Sequence, residues 1–121
     1  MATRTIPFIE GEFYHIYNRG TDKRIIFKNN SDYFRFMLLL YFCNSDNSLR
    51  ISSLLDQKLS LVELFSKDRG NQLVDIGAFT LMPNHFHILL KEKTEGGIST
   101  FMGKLATAYV MYFNTKNERK G

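Results

Sequence analysis

Apolar positions change their spacing several times along the chain, and each change marks an element. Residues 12–18 (EFYHIYN) are aromatic and β-branched and read as a strand. Alternation puts Phe13, His15 and Tyr17 on one face and Tyr14, Ile16 and Asn18 on the other. Arg19-Gly20-Thr21-Asp22 closes it as a turn. From Tyr33 to Cys43 the spacing becomes three and four, through Phe36, Leu39, Leu40 and Cys43, which predicts a buried helix. Ser31 is its expected N-cap, with Asp32 in the first turn to suit the helix dipole. Residues 72–82 and 85–91 return to strand character, and Pro83-Asn84 between them predicts a hairpin. A last helix is expected from Ser99 or Thr100 to about Asn117. Phe101, Met102, Leu105, Ala108, Tyr109, Tyr112 and Phe113 share one of its faces.

Residues 44–71 keep no clear period. They are expected to form an insertion between core elements, with a short helix over Leu61 to Phe65 capped by Ser60. The order is then β-α-β-β-α. It predicts an α+β fold, a ferredoxin-like or RRM-like antiparallel sheet with helices on one face, which lacks its last strand. An edge left open in this way invites pairing. The expectation is either a chain cut short of its natural end or a sheet completed by a second copy. At 121 residues, 1–121 forms a single domain.

Composition narrows the picture a little further. A hydrophobic share of 44%, with 11 Phe and 6 Tyr, suffices for a packed core. The net charge of +4 favours an anionic partner such as nucleic acid. One cysteine, Cys43, rules out an internal disulfide and fits a reducing cytoplasm. Its neighbours Tyr41 and Phe42 suggest a buried thiol. No signal peptide is recognised, and the longest apolar run, Phe36 to Phe42, is far too short to span a membrane. The expectation is a soluble cytoplasmic protein without a membrane partner.

The candidate chemistry lies in Leu81-Met82-Pro83-Asn84-His85-Phe86-His87-Ile88-Leu89-Leu90. On a strand, His85 and His87 project together, while Phe86, Ile88 and Leu90 anchor the other side. Two adjacent imidazoles offer a bidentate site for a divalent metal. The blander reading is a polar strand face. His15 lies on a strand expected beside this one and is a possible additional ligand, or an ordinary hydrogen-bonded residue. Arg19, Lys23 and Arg24 gather charge at a strand end and are candidate DNA contacts, or a solvated turn. Lys104, Lys116, Arg119 and Lys120 are candidates to track a DNA backbone, or only solubilise a helix end. Tyr109, Tyr112 and Phe113 recur at the spacing of a core stripe.

Three features together carry a family resemblance: the strand ending in Asn18-Arg19-Gly20, the run MPNHFHILLK, and the helix carrying Tyr-Val-Met-Tyr-Phe-Asn. The chain resembles the IS200-type single-tyrosine (Y1) transposases of the HUH endonuclease superfamily, especially the branch associated with repetitive extragenic palindromes. The resemblance implies DNA transposition by a metal-dependent single-strand nickase. His85 and His87 would bind Mg²⁺ or Mn²⁺, and a tyrosine would form a 5′-phosphotyrosine with single-stranded DNA at hairpin ends. It also implies a homodimer. The family's nucleophile lies on a later helix, so it is expected beyond Gly121. This chain should then hold the metal site without the nucleophile or the tyrosine helix, and be inert alone. Two alternatives remain: a non-catalytic nucleic-acid-binding module that stacks bases on Tyr14 or Tyr17, and a phosphoesterase that uses water.

Overall fold

The elements follow in the order strand β1 (Phe13–Arg19), helix α1 (Asn30–Phe42), short helix α2 (Leu61–Phe65), strands β2 (Val74–Met82) and β3 (His85–Glu92), and helix α3 (Gly97–Lys116). The structure, a computed structural model, describes residues 7–19, 24–47, 54 and 57–118, with Arg19 described by its backbone only. The three strands form one antiparallel sheet in the order β1-β3-β2. The fold is α+β, as the periodicity predicts.

Pro83 and Asn84 join β2 to β3 in the expected hairpin. β1 pairs along the other side of β3, which makes the histidine strand the centre of the sheet. Its alternation is complete. Phe86, Ile88, Leu90 and Glu92 are buried, while His85, His87, Leu89 and Lys91 are not. A strand at the centre of a sheet with one covered face requires this pattern, because a slip of one residue would expose the whole apolar set.

The covered face meets both long helices. Phe36, Leu39 and Leu40 of α1 and its C-cap Cys43 join Phe86, Ile88 and Leu90 of β3 and Phe101, Leu105, Tyr109 and Phe113 of α3 in one core. Each large side chain fully buried there contributes about 1.5–3 kcal/mol of transfer free energy. A second cluster of Leu38, Phe42 and Leu64 lies on the other side of α1, with Tyr41, Leu54 and Leu59 packed against it. It holds α2, whose Ser60 forms the expected cap within a reciprocal capping box with Glu63.

Two cap expectations are corrected. Asn29, not Ser31, caps α1: its side chain accepts from the Asp32 amide, and Ser31 Oγ donates to Asn29 Oδ1 at 2.6 Å. Asn is as good a cap as Ser, and this choice lets the Asp32 carboxylate accept the Lys28 amide at 2.8 Å. Helix α3 begins before Ser99 and Thr100, and neither caps it. Gly96 is the N-cap residue, with a left-handed φ of 75° and no side chain to offer. The buried Glu92 carboxylate at the end of β3 instead accepts the Ile98 amide at 2.6 Å. Gly97 must also be glycine, since a Cβ there would sit 2.1 Å from the Leu73 carbonyl oxygen.

Asn44, which follows α1 at the start of the 44–71 segment, has a tertiary role. It is buried, its Oδ1 accepts from the Leu73 and Val74 amides, and its Nδ2 donates to the Val74 carbonyl. It thereby fixes the start of β2 against the end of α1.

Candidate functional site

The sheet face turned away from α1 and α3 carries the candidate residues in rows. Antiparallel pairing sets Arg19, His85 and Met82 in one row across β1, β3 and β2. The next row holds Tyr17, His87 and Thr80, and the one after it His15, Leu89 and Ala78. Phe13 and Lys91 follow. Residues directly opposite each other share a face. Three histidines and two aromatic rings therefore occupy one open surface.

Their geometry is specific. The His85 and His87 ring centroids lie 5.1 Å apart with planes at 84°. Asn84 Oδ1 lies 2.7 Å from His85 Nδ1. An amide oxygen only accepts, so His85 Nδ1 carries the proton and its lone pair falls on Nε2. His15 Nε2 lies 2.7 Å from His87 Nδ1, and their rings stack at 4.9 Å. One proton joins these two nitrogens. When His87 Nδ1 donates it, the His87 lone pair also falls on Nε2. The chain then presents two Nε2 lone pairs from neighbouring positions of one strand, each ring oriented through its Nδ1 by a second group. Metal-binding imidazoles are commonly held in this way.

Among the described residues, no group of three or more His, Cys, Asp and Glu side chains is placed to hold a metal ion. The donor set fits a cation that keeps several water or phosphate oxygens, as Mg²⁺ and Mn²⁺ do. It does not form a closed protein cage.

Arg24 is exposed. Arg19 stands opposite His85 in the pairing. The Arg19 side chain and Lys23, Arg119 and Lys120 lie outside the described residues. Lys104 is tied down, donating to the carbonyls of Ser45 and Asn47 at 2.6 and 3.0 Å. Lys116 sits 2.7 Å from Asp32 Oδ1.

The tyrosines of α3 face the core side of the sheet, away from the histidines. Tyr109 donates to the Ile26 carbonyl. Burial, with the charge of Asp32 beside it, raises its phenol above the ordinary value. Tyr112 donates to Asp32 Oδ1 at 2.8 Å. Burial alone would raise the Asp32 carboxyl, but hydrogen bonds from Lys116, the Lys28 amide and Tyr112 outweigh it and hold the group below its usual range. This network ties the start of α1 to the end of α3. Cys43 is buried, and burial pushes its thiol up to about 11, which leaves it unreactive near neutral pH.

Two site features are less visible in the sequence. Asn84 reads there only as a turn former, although its place directly before His85 is the signal of its orienting role. Tyr17 shares a strand face with His15, and only the pairing register shows that it stands opposite His87.

Among the described residues no helix is long and apolar enough to cross a membrane. No curated protein and no solved structure is significantly similar to the chain. A family model described as "Transposase IS200 like" matches residues 41–120, well over half of the chain. The matched span runs from the end of α1 through the hairpin to α3 and includes His85, His87 and Asn84, while β1 precedes it. With the histidine pair on an open sheet face and the match over the elements that carry it, the chain belongs to the IS200-like transposase family, whose members are DNA-cleaving enzymes of transposition.

Proposed function

We propose that this chain provides the metal site and part of the DNA surface of an HUH-type single-strand nickase. That enzyme would cut and rejoin single-stranded DNA near hairpin ends through a 5′-phosphotyrosine. The observation that carries the reading is the pair of oriented imidazoles, His85 and His87, on the open face of the central strand. His85 and His87 are the residues that would hold Mg²⁺ or Mn²⁺. Such an ion supplies Lewis-acid polarisation of a phosphate and neutralises charge on its oxygens.

The chain's own groups have separable roles. Asn84 Oδ1 accepts a hydrogen bond from His85 Nδ1–H and fixes which nitrogen faces the site. His15 does the same for His87, so it is a positioning residue rather than a third ligand. The exposed Arg24, with Arg19 and Lys23 before it in the sequence, would supply positive charge for DNA phosphates. Tyr109 and Tyr112 are structural, because both hydroxyls are committed on the core side. The nucleophile is neither of them.

A binding assay tests the reading. A labelled single-stranded hairpin should bind in Mn²⁺ more tightly than a blunt duplex of the same sequence, and His85→Ala should remove the metal-dependent part. Equal binding of duplex at moderate salt, unchanged by His85→Ala, would overturn it. A clean nick made by this chain and abolished by Tyr112→Phe would overturn the structural role given to that tyrosine.

A further inference from the structure

Two exposed rings on the open face lie outside the core. Phe13 and Tyr17 are 52% and 64% exposed, far more than a sheet needs for packing. Both lie on β1, on the same face, with His15 between them. Four residues of strand separate them by about 13 Å. The Tyr17 ring lies nearly parallel to His87, at 28° with centroids 6.0 Å apart, and close to His15 at 5.5 Å. It therefore borders the candidate metal site directly.

The far end of the row is shaped too. A Cβ on Gly77 would meet Phe13 Cε1 and Leu89 Cδ2, each at 3.2 Å. The bare glycine, at a bulge in β2, thus leaves the room in which the Phe13 ring lies. Lys91 Nζ stands 5.8 Å from the Phe13 centroid, which places a cation beside the ring.

We infer that Phe13 and Tyr17 form a stacking lane for the bases of a single-stranded DNA, running along β1 up to the histidine pair. Exposed flat rings on an open antiparallel sheet suit unpaired nucleobases, whose faces stack on aromatics whatever the sequence. The chain's net charge of +4 and Lys91 complement the phosphates of such a strand. A duplex hides its base faces and could not use the lane. Tyr17 would hold a base next to the phosphate presented to His85 and His87, so the lane sets which nucleotide reaches the site. The inference rests on the proposed single-strand chemistry but concerns base recognition, which needs no metal.

The test is fluorescence anisotropy in EDTA with a short labelled single strand and an abasic strand of the same length. Tyr17→Ala and Phe13→Ala should each weaken binding of the base-bearing strand by roughly 5- to 150-fold. Tyr17→Phe should keep the affinity of the parent chain. The abasic strand should bind the parent chain weakly and be indifferent to both alanine variants. Circular dichroism should show all variants folded, since both side chains are exposed. Unchanged binding in the alanine variants, or equal binding of the abasic strand, would overturn the lane while leaving single-strand binding intact. Loss in Tyr17→Phe as large as in Tyr17→Ala would overturn it by assigning the role to the hydroxyl. A dimer dissociated by Tyr17→Ala, with DNA binding unchanged, would overturn it in favour of a contact between copies. No single-strand binding in EDTA would overturn the lane, and no binding in Mn²⁺ either would overturn the proposed function as well.

Discussion

Asp32 shows how one buried charge joins two helices distant in sequence. It is fully buried, yet it accepts from the Lys28 amide, Tyr112 and Lys116. These bonds hold its native carboxyl below the ordinary value. As pH falls, the unfolded chain therefore takes up the proton first. The stability Asp32 contributes is present above about pH 4 and is lost as pH falls through the lowered native value. Asp32→Asn should cost about 2–3 kcal/mol at neutral pH. In urea unfolding the gap between variant and parent should narrow as the pH is lowered below 4. At the same scale, the proposed positioning role of His15 separates it from His87. His15→Ala should weaken Mn²⁺ binding by about 10- to 100-fold, whereas His87→Ala should abolish it. Titration calorimetry distinguishes the two, and abolition by both variants would make His15 a ligand.

Strands, hairpin and helix faces were legible because each has a local period. The alternation from His85 to Leu90 alone tells which side chains are buried, and the structure follows it. The helix starts were less legible. Asn29 and Ser31 are equivalent caps by type, and only the fit of Asp32 to the Lys28 amide decides between them. The start of α3 depends on Glu92, a group from the preceding strand, which a search for Ser or Thr at the helix itself does not reveal. Glu92→Ala should accordingly cost about 1–2 kcal/mol in thermal or urea unfolding. Glu92→Gln, which keeps an oxygen acceptor, should cost less. Ile88→Ala, at the centre of the covered face, should cost about 2–5 kcal/mol through the cavity it leaves.

At the scale of the molecule, the covered face provides stability and the open face gathers the groups suited to chemistry. The family match covers the hairpin and α3, and β1 brings His15 and Tyr17 to the same surface through its register with β3. The sequence places His85 and His87 together by simple alternation. That Tyr17 stands opposite His87 depends on strand pairing, a long-range fact with no local signal. The reading as a whole rests on His85 and His87 acting as one cation site. Electron paramagnetic resonance of Mn²⁺ titrated into the purified chain tests this most directly. One Mn²⁺ should bind per chain, and it should be lost in both His85→Ala and His87→Ala while the fold is retained. Mn²⁺ binding of equal affinity and stoichiometry in either variant would contradict it.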